Sequence, residues 1–252
     1  MILFYEKAPP QNCKKQNNFL HYKTANSLKL IGSFYTTISM QIKLQQILPI
    51  FFEKDKANNS QLWYQSLSFS KGEKIHIIAP SGSGKTVFIH FLYGLRNDYA
   101  GKILYNENDI SNFDAEKFSS WRQQFISIIF QDLRLFTDQT VRQNLEIKRM
   151  LLPYHQESRI TAMAKRLGIE NKLDKLCNTC SYGEQQRVAI IRALQQPFDF
   201  LLLDEPFSHL DEKNRQIAMQ LIEEETEERK AAIILADLKK IDYFKTNRIL
   251  YL

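Results

Sequence analysis

Three cysteines in 252 residues are too few, and odd in number, for a disulfide framework, and they suit a reducing compartment. Eight glycines and seven prolines exclude collagenous and low-complexity chains. No apolar run approaches the ~18–20 residues that cross a bilayer. The longest, Ala231–Ala236 and Phe200–Leu203, have the length of buried strands. Any role at a membrane therefore runs through a partner. A secretory pattern is also missing: no basic start leads into an apolar stretch and a small-residue cleavage site. Charge of one sign is scarce too. The net charge is +6, and five lysines against one glutamate place most of it in residues 1–39. A mildly basic tail on a near-neutral body reads as a solvated surface, and no nucleic-acid partner is expected. What is present is a hydrophobic fraction of 44% with 17 Phe and 11 Tyr, enough to fill the core of one globular unit.

Residues 1–39 have Pro9-Pro10, many Asn and Gln, and no sustained period. They read as a disordered or non-native N-terminal extension, with Met40 as an alternative start. From Met40 the pattern becomes orderly. Gln41–Phe52 and Leu62–Phe69 alternate as strands do, and Lys74–Ile78 is a short apolar run. Similar runs at Ile126–Phe130, Phe200–Leu203, Ile233–Leu235 and Arg248–Leu252 suit a parallel sheet covered on both faces. Helical spacing follows Lys85 and recurs over about 115–121, 141–150, 156–167, 181–195 and 211–229. The acidic stretch Glu223–Glu228 reads as the solvent face of the last helix.

Three motifs carry chemistry. The first is Ala79-Pro80-Ser81-Gly82-Ser83-Gly84-Lys85-Thr86, between a strand and a helix. Its glycines permit a tight loop whose amides face phosphate oxygens. Lys85 would reach the β- and γ-phosphates, Thr86 would offer its hydroxyl to Mg²⁺, and the helix start adds positive charge. Ala79 stands where the strict pattern has glycine. The second is Phe200–Asp204-Glu205-Pro206, a buried strand ending in two acids. Asp204 would hold Mg²⁺ and Glu205 would polarise the attacking water, since ligands gather at the carboxyl ends of such strands. The third is Cys180-Ser181-Tyr182-Gly183-Glu184-Gln185-Gln186-Arg187.

This third stretch resembles the signature of ATP-binding cassette (ABC) ATPases, usually Leu-Ser-Gly-Gly-Glu/Gln-Gln-Gln-Arg, and it lies about 20 residues before the Asp-Glu pair, as in that family. Other stations follow in family order. Gln131 is similar to the Q-loop glutamine that touches Mg²⁺ and water, and Ser208–Asp211 resembles the D-loop. Phe51, with Phe52 as its neighbour, matches the aromatic that stacks on adenine. The resemblance spans Met40–Leu252. It implies an α/β P-loop NTPase fold with a mixed, mainly parallel sheet core, an antiparallel β subdomain, and a small α-helical subdomain at about 132–180. It also implies ATP and Mg²⁺ as cofactors and head-to-tail pairing with a second cassette, the same or different. Ser181 and Gly183 of one cassette would then cap the γ-phosphate held by the other. Two departures stand out. Tyr182 replaces a glycine, where its ring would crowd that phosphate. Asp237 replaces the histidine that ends a strand beside it, with Lys239 and Lys240 close by to offset its charge.

The phrase Gln131–Phe136 with Gln139–Leu145 resembles cassettes of lipoprotein-release, cell-division and macrolide-efflux systems. Such cassettes work on separate transmembrane subunits from the cytoplasmic face of the membrane. Three uses stay open: a hydrolysing subunit that drives a membrane partner, a weakly hydrolysing nucleotide-gated switch, and a soluble cassette acting on nucleic acid or ribosomes. Cys177-x-x-Cys180 lacks the second pair or the histidine that a zinc site needs. The histidines show no metal spacing, and Trp63 and Trp121 read as packing residues.

Overall fold

The computed structural model describes residues 40–53 and 59–252; the reading of residues 1–39 lies outside them. Two sheets form the frame. The first, in the order β2-β1-β4-β5, pairs β1 (Gln41–Pro49) antiparallel with β2 (Ser66–Ser70) and with β4 (Tyr99–Tyr105), which continues into β5 (Asn108–Asp109). The second, in the order β6-β7-β8-β3-β9, contains β6 (Ile126–Ile129), β7 (Phe200–Asp204), β8 (Ala232–Asp237), β3 (Lys74–Ile78) and β9 (Arg248–Tyr251), all paired in parallel.

The parallel strands are apolar along their length because each face meets a different core. Leu201, Leu203, Ile233 and Leu235 pack with α3 (Val141–Leu151), α4 (Glu157–Arg166), α5 (Tyr182–Ala193) and α6 (Glu212–Arg229). Phe200, Leu202, Ile234 and Ala236 pack with α1 (Lys85–Leu92) and the antiparallel sheet. Adjacent residues on a strand point to opposite faces, so a run of four hydrophobics serves both cores. α2 (Ala115–Gln124) is capped by Asp114, α3 by Thr140, α5 by Ser181 and α6 by Asp211, each side chain accepting from a first-turn amide. These caps lie within a residue or two of the helix starts read from the sequence.

The strand ends differ more. β1 stops at Pro49 rather than Phe52, because the chain turns there and the Phe52 amide donates to the Pro49 carbonyl at 3.0 Å. β2 begins at Ser66 rather than Leu62, because the Ser60 hydroxyl accepts from the amides of Leu62 and Trp63 and holds a turn. The β4–β5 hairpin had no sequence signal. Its turn residues, Asn106 and Glu107, both adopt positive φ without a glycine. The acidic stretch on α6 also departs from expectation. Glu225 is buried and paired with Arg159, Arg229 and His155. Burial alone would raise its pKa, but hydrogen bonds from His155, Arg229 and Arg159 hold it down to about 2.

Candidate functional site

The carboxyl ends of β3, β7 and β8 lie side by side. Ile78 pairs with Asp237 and Asp204 with Ala236, so the loop after β3 meets both acidic ends. Gly82 and Gly84 take positive φ, 78° and 98°, where a side chain would be strained. A Cβ on Gly84 would also come within 3.0 Å of Phe52 and Trp63. Ala79 keeps a negative φ, so that position needs no glycine; its amide donates to the Asp237 carbonyl at 3.2 Å. Lys85 opens α1 with its ammonium buried. It donates to the Ala79 and Pro80 carbonyls at 2.9 Å each and lies 3.4 Å from Glu205.

Around this loop, Phe51, Phe52, Ser81, Gly82, Gly84–Val87, Gln131 and Glu205 enclose a cavity of about 240 Å³. Pro80 and Ser83 close the loop, the Ser83 hydroxyl donating to the Pro80 carbonyl at 2.7 Å. Phe52 packs edge-on against Trp63. Phe51 is exposed, with the Arg96 guanidinium 5.2 Å from its ring centre. The two neighbouring aromatics thus do different work: one packs, the other offers a face.

Both carboxylate oxygens of Asp204 are buried with no hydrogen-bond partner among the described residues. Burial pushes its pKa up to about 6, Glu205 adds to the rise, and the nearby Thr86 hydroxyl and Lys85 oppose it. The Thr86 hydroxyl donates to Gln131 Oε1 at 3.3 Å. One carboxylate, one hydroxyl and one amide oxygen fit the sparse oxygen set that Mg²⁺ takes from protein when phosphates complete its shell. Among the described residues, no cluster of three or more His, Cys, Asp or Glu forms an alternative metal site, and Cys177 and Cys180 are free thiols whose pKa is raised by burial.

Glu205 follows Asp204 with φ 44°, a conformation worth about 1–3 kcal/mol of strain, held by its amide bonded to the Ala236 carbonyl at 2.9 Å. Asp237 faces a larger cavity, about 770 Å³, shared with Glu205, Arg215, Lys239 and Lys240. Burial raises its pKa, the Leu238 and Lys239 amides lower it, Glu205 raises it, and Arg215 lowers it. Arg215, on the first turns of α6, is one of the cations around Asp237, with Lys239 and Lys240 lining the same cavity.

The signature lies at the start of α5. Ser181 and Glu184 form a reciprocal cap, each side chain accepting from the other's amide. A Cβ on Gly183 would meet the His209 carbonyl at 2.9 Å, so any side chain there would force the helix or the loop after β7 to shift. The Tyr182 ring lies against His209, with centroids 4.1 Å apart. Gln186 accepts from the His209 amide at 2.9 Å. At the far end of α5, Arg192 donates to the Leu133 and Arg134 carbonyls at 2.7 Å and holds the turn after Gln131. Sequence reading named neither Arg192 nor Gln186 as a support. Their partners lie some 20 to 60 residues away, and no spacing rule reaches that far.

A glycine loop on a buried lysine, an unpaired carboxylate at a strand end and a serine-capped signature helix together define a P-loop ATPase cassette. A family model described as ABC transporter matches residues 64–208. The chain is 33% identical over 174 residues to the lipoprotein-releasing system ATP-binding protein LolD of Buchnera aphidicola, covering 68% of this chain and 76% of that protein. It is 32% identical over 173 residues to the ABC transporter ATP-binding protein YtrE of Bacillus subtilis, covering 68% and 75%. Its structure is similar to that of dimeric MJ0796, a bacterial ABC transporter cassette. The TM-score is 0.72 at 26% identity, covering 84% of this chain and 94% of that one. A post-hydrolysis state of MJ0796 bound to ADP and Pi matches to the same degree. The chain belongs to the ABC transporter family, as an ATP-binding cassette of it.

Proposed function

We propose that two cassettes, two copies of this chain or this chain and a different one, close head to tail on ATP and drive a separate transmembrane subunit. Phe51 would stack on adenine. Residues 79–86 would wrap the phosphates, with Lys85 leaving its carbonyl partners for phosphate oxygens. Thr86, Gln131 and Asp204 would hold Mg²⁺, which when bound neutralises phosphate charge. Glu205 orients water for in-line attack. The water oxygen would bond to the γ-phosphorus, the bond to the bridging oxygen would break, and Glu205 would take the released proton. Ser181 and Gly183 would face the nucleotide of the opposite cassette.

The observation that carries this reading is the buried Asp204 carboxylate, unpaired beside a lysine-bearing glycine loop. Among the described residues no helix is long and apolar enough to cross a membrane. Exposed Phe136, Met150, Leu151 and Leu176 support residues 132–180 as a helical subdomain that meets the partner. In this reading the cassette sits on the cytoplasmic face. The test is ATP turnover of the purified chain with Lys85→Ala as the blank. Turnover above the blank supports the motor; loss of both binding and turnover overturns it. A second reading, a switch that binds ATP with little hydrolysis, is favoured by Asp237 at the place of the usual histidine. ATP bound at the blank's turnover would select it.

A further inference from the structure

Asp237 leaves this chain without the histidine that usually stands beside the terminal phosphate, yet another histidine faces the phosphate end from a different loop. His209, on the loop between β7 and α6, lines a cavity of about 340 Å³ with Thr86, Gln131, Asp204 and Tyr182. Thr86, Gln131 and Asp204 are the residues proposed to hold the metal.

Its ring is held from several sides. Tyr182 packs against it. Nδ1 lies 2.9 Å from the Ser208 hydroxyl, and that hydroxyl accepts from the Gln186 amide at 3.5 Å. A hydroxyl that accepts from Gln186 can give its own proton to Nδ1, and in that arrangement a neutral imidazole carries its ring proton on Nε2. Nε2 makes no hydrogen bond among the described residues. In that arrangement the exposed His209 ring has an N–H to give, and it lines the cavity together with Thr86 and Asp204. His90 lines the same cavity, but its ring packs edge-on against Phe130 at 6.0 Å and stands a full helical turn beyond Thr86.

We infer that Nε2 of His209 donates a hydrogen bond to the terminal phosphate of the nucleotide on its own chain, with Tyr182 as the ring that orients it. The two departures from the family pattern then belong together. The histidine lost at Asp237 is replaced from the loop after β7, and the glycine lost at Tyr182 becomes the platform for its substitute. The contact is a hydrogen bond only; no covalent bond forms or breaks at His209. This inference rests on the nucleotide site proposed above, and its test separates the two.

Affinities of the full chain for ADP and for the non-hydrolysable ATP analogue AMP-PNP, each with Mg²⁺, are measured by calorimetry. His209→Phe keeps a ring against Tyr182 and removes the donor. It is expected to weaken AMP-PNP about tenfold, the size of one hydrogen bond to a charged group, and to leave ADP within about twofold. His209→Gln restores an N–H donor and is expected to recover most of the loss. Tyr182→Ala, which frees the ring, is expected to weaken AMP-PNP selectively by a smaller factor. A His209→Phe chain that binds AMP-PNP as the parent does, or that loses ADP equally, overturns the inference alone. A parent chain that binds neither nucleotide overturns the site and the inference together.

Discussion

Two buried carboxylates are shifted in opposite directions, and the difference separates a site from a scaffold. Asp204 is held up at about 6 by burial without a partner. Its folded pKa exceeds the unfolded value of about 3.9, so the folded chain holds a proton that the unfolded chain has released. Stability from this group is present at low pH and is lost as pH rises from about 4 through 6. Asp204→Asn is therefore expected to raise the melting temperature of the nucleotide-free chain at pH 8, to lose that advantage below pH 5, and to abolish turnover. Melts at both pH values with a turnover assay check it; an unchanged melting temperature at pH 8 counts against an uncompensated carboxylate. Glu225 runs the other way. Held at about 2, it stabilises the fold above its unfolded pKa near 4.3 and loses that contribution as pH falls toward 2. Glu225→Gln leaves the Arg229 guanidinium buried without its charge partner and is expected to cost about 3–5 kcal/mol, read from urea unfolding at pH 7. A loss below about 1 kcal/mol would show that Arg229 finds other support.

At the scale of elements, α5 links the stations. Its first turn carries Ser181 and Gly183, its middle binds the loop after β7 through Gln186, and its last turn holds the chain after Gln131 through Arg192. Arg192→Met keeps the length and removes both hydrogen bonds. Faster amide exchange over residues 131–136 is expected, with turnover reduced while ADP still binds; unchanged exchange there would remove Arg192 from this role. Gly183→Ala puts a methyl group within 2.9 Å of the His209 carbonyl. The backbone after β7 must move, so a loss of about 1–3 kcal/mol is expected, larger than the few tenths at an exposed helix site. Thermal melts of Gly183→Ala beside an exposed control such as Gln220→Ala separate the two effects.

For the whole molecule, the expected behaviour is association driven by nucleotide. Glu205→Gln retains the side-chain shape and removes the base, so ATP should accumulate and hold two chains together. Light scattering with ATP and Mg²⁺ should show a dimer; a monomer at every protein concentration would sink the head-to-tail model for a single chain type. Asp237→His restores the family's histidine beside Glu205. Turnover rises if Asp237 is a handicap, and stays level or falls if His209 already fills that role.

The sequence by itself determined the order of the stations, the parallel core and the helix starts, because these are local. An Asp or Ser caps the helix next to it, a glycine loop needs only its own dihedrals, and a strand covered on both faces must be apolar throughout. Only the tertiary structure decided which of Phe51 and Phe52 is exposed, that Ala79 needs no glycine there, that Glu225 lies inside, and that Tyr182 rests on His209. Each of these is set by residues distant in the chain. A side chain's burial, and the partner left over for its charge, exist only once the two cores have closed on the sheet between them.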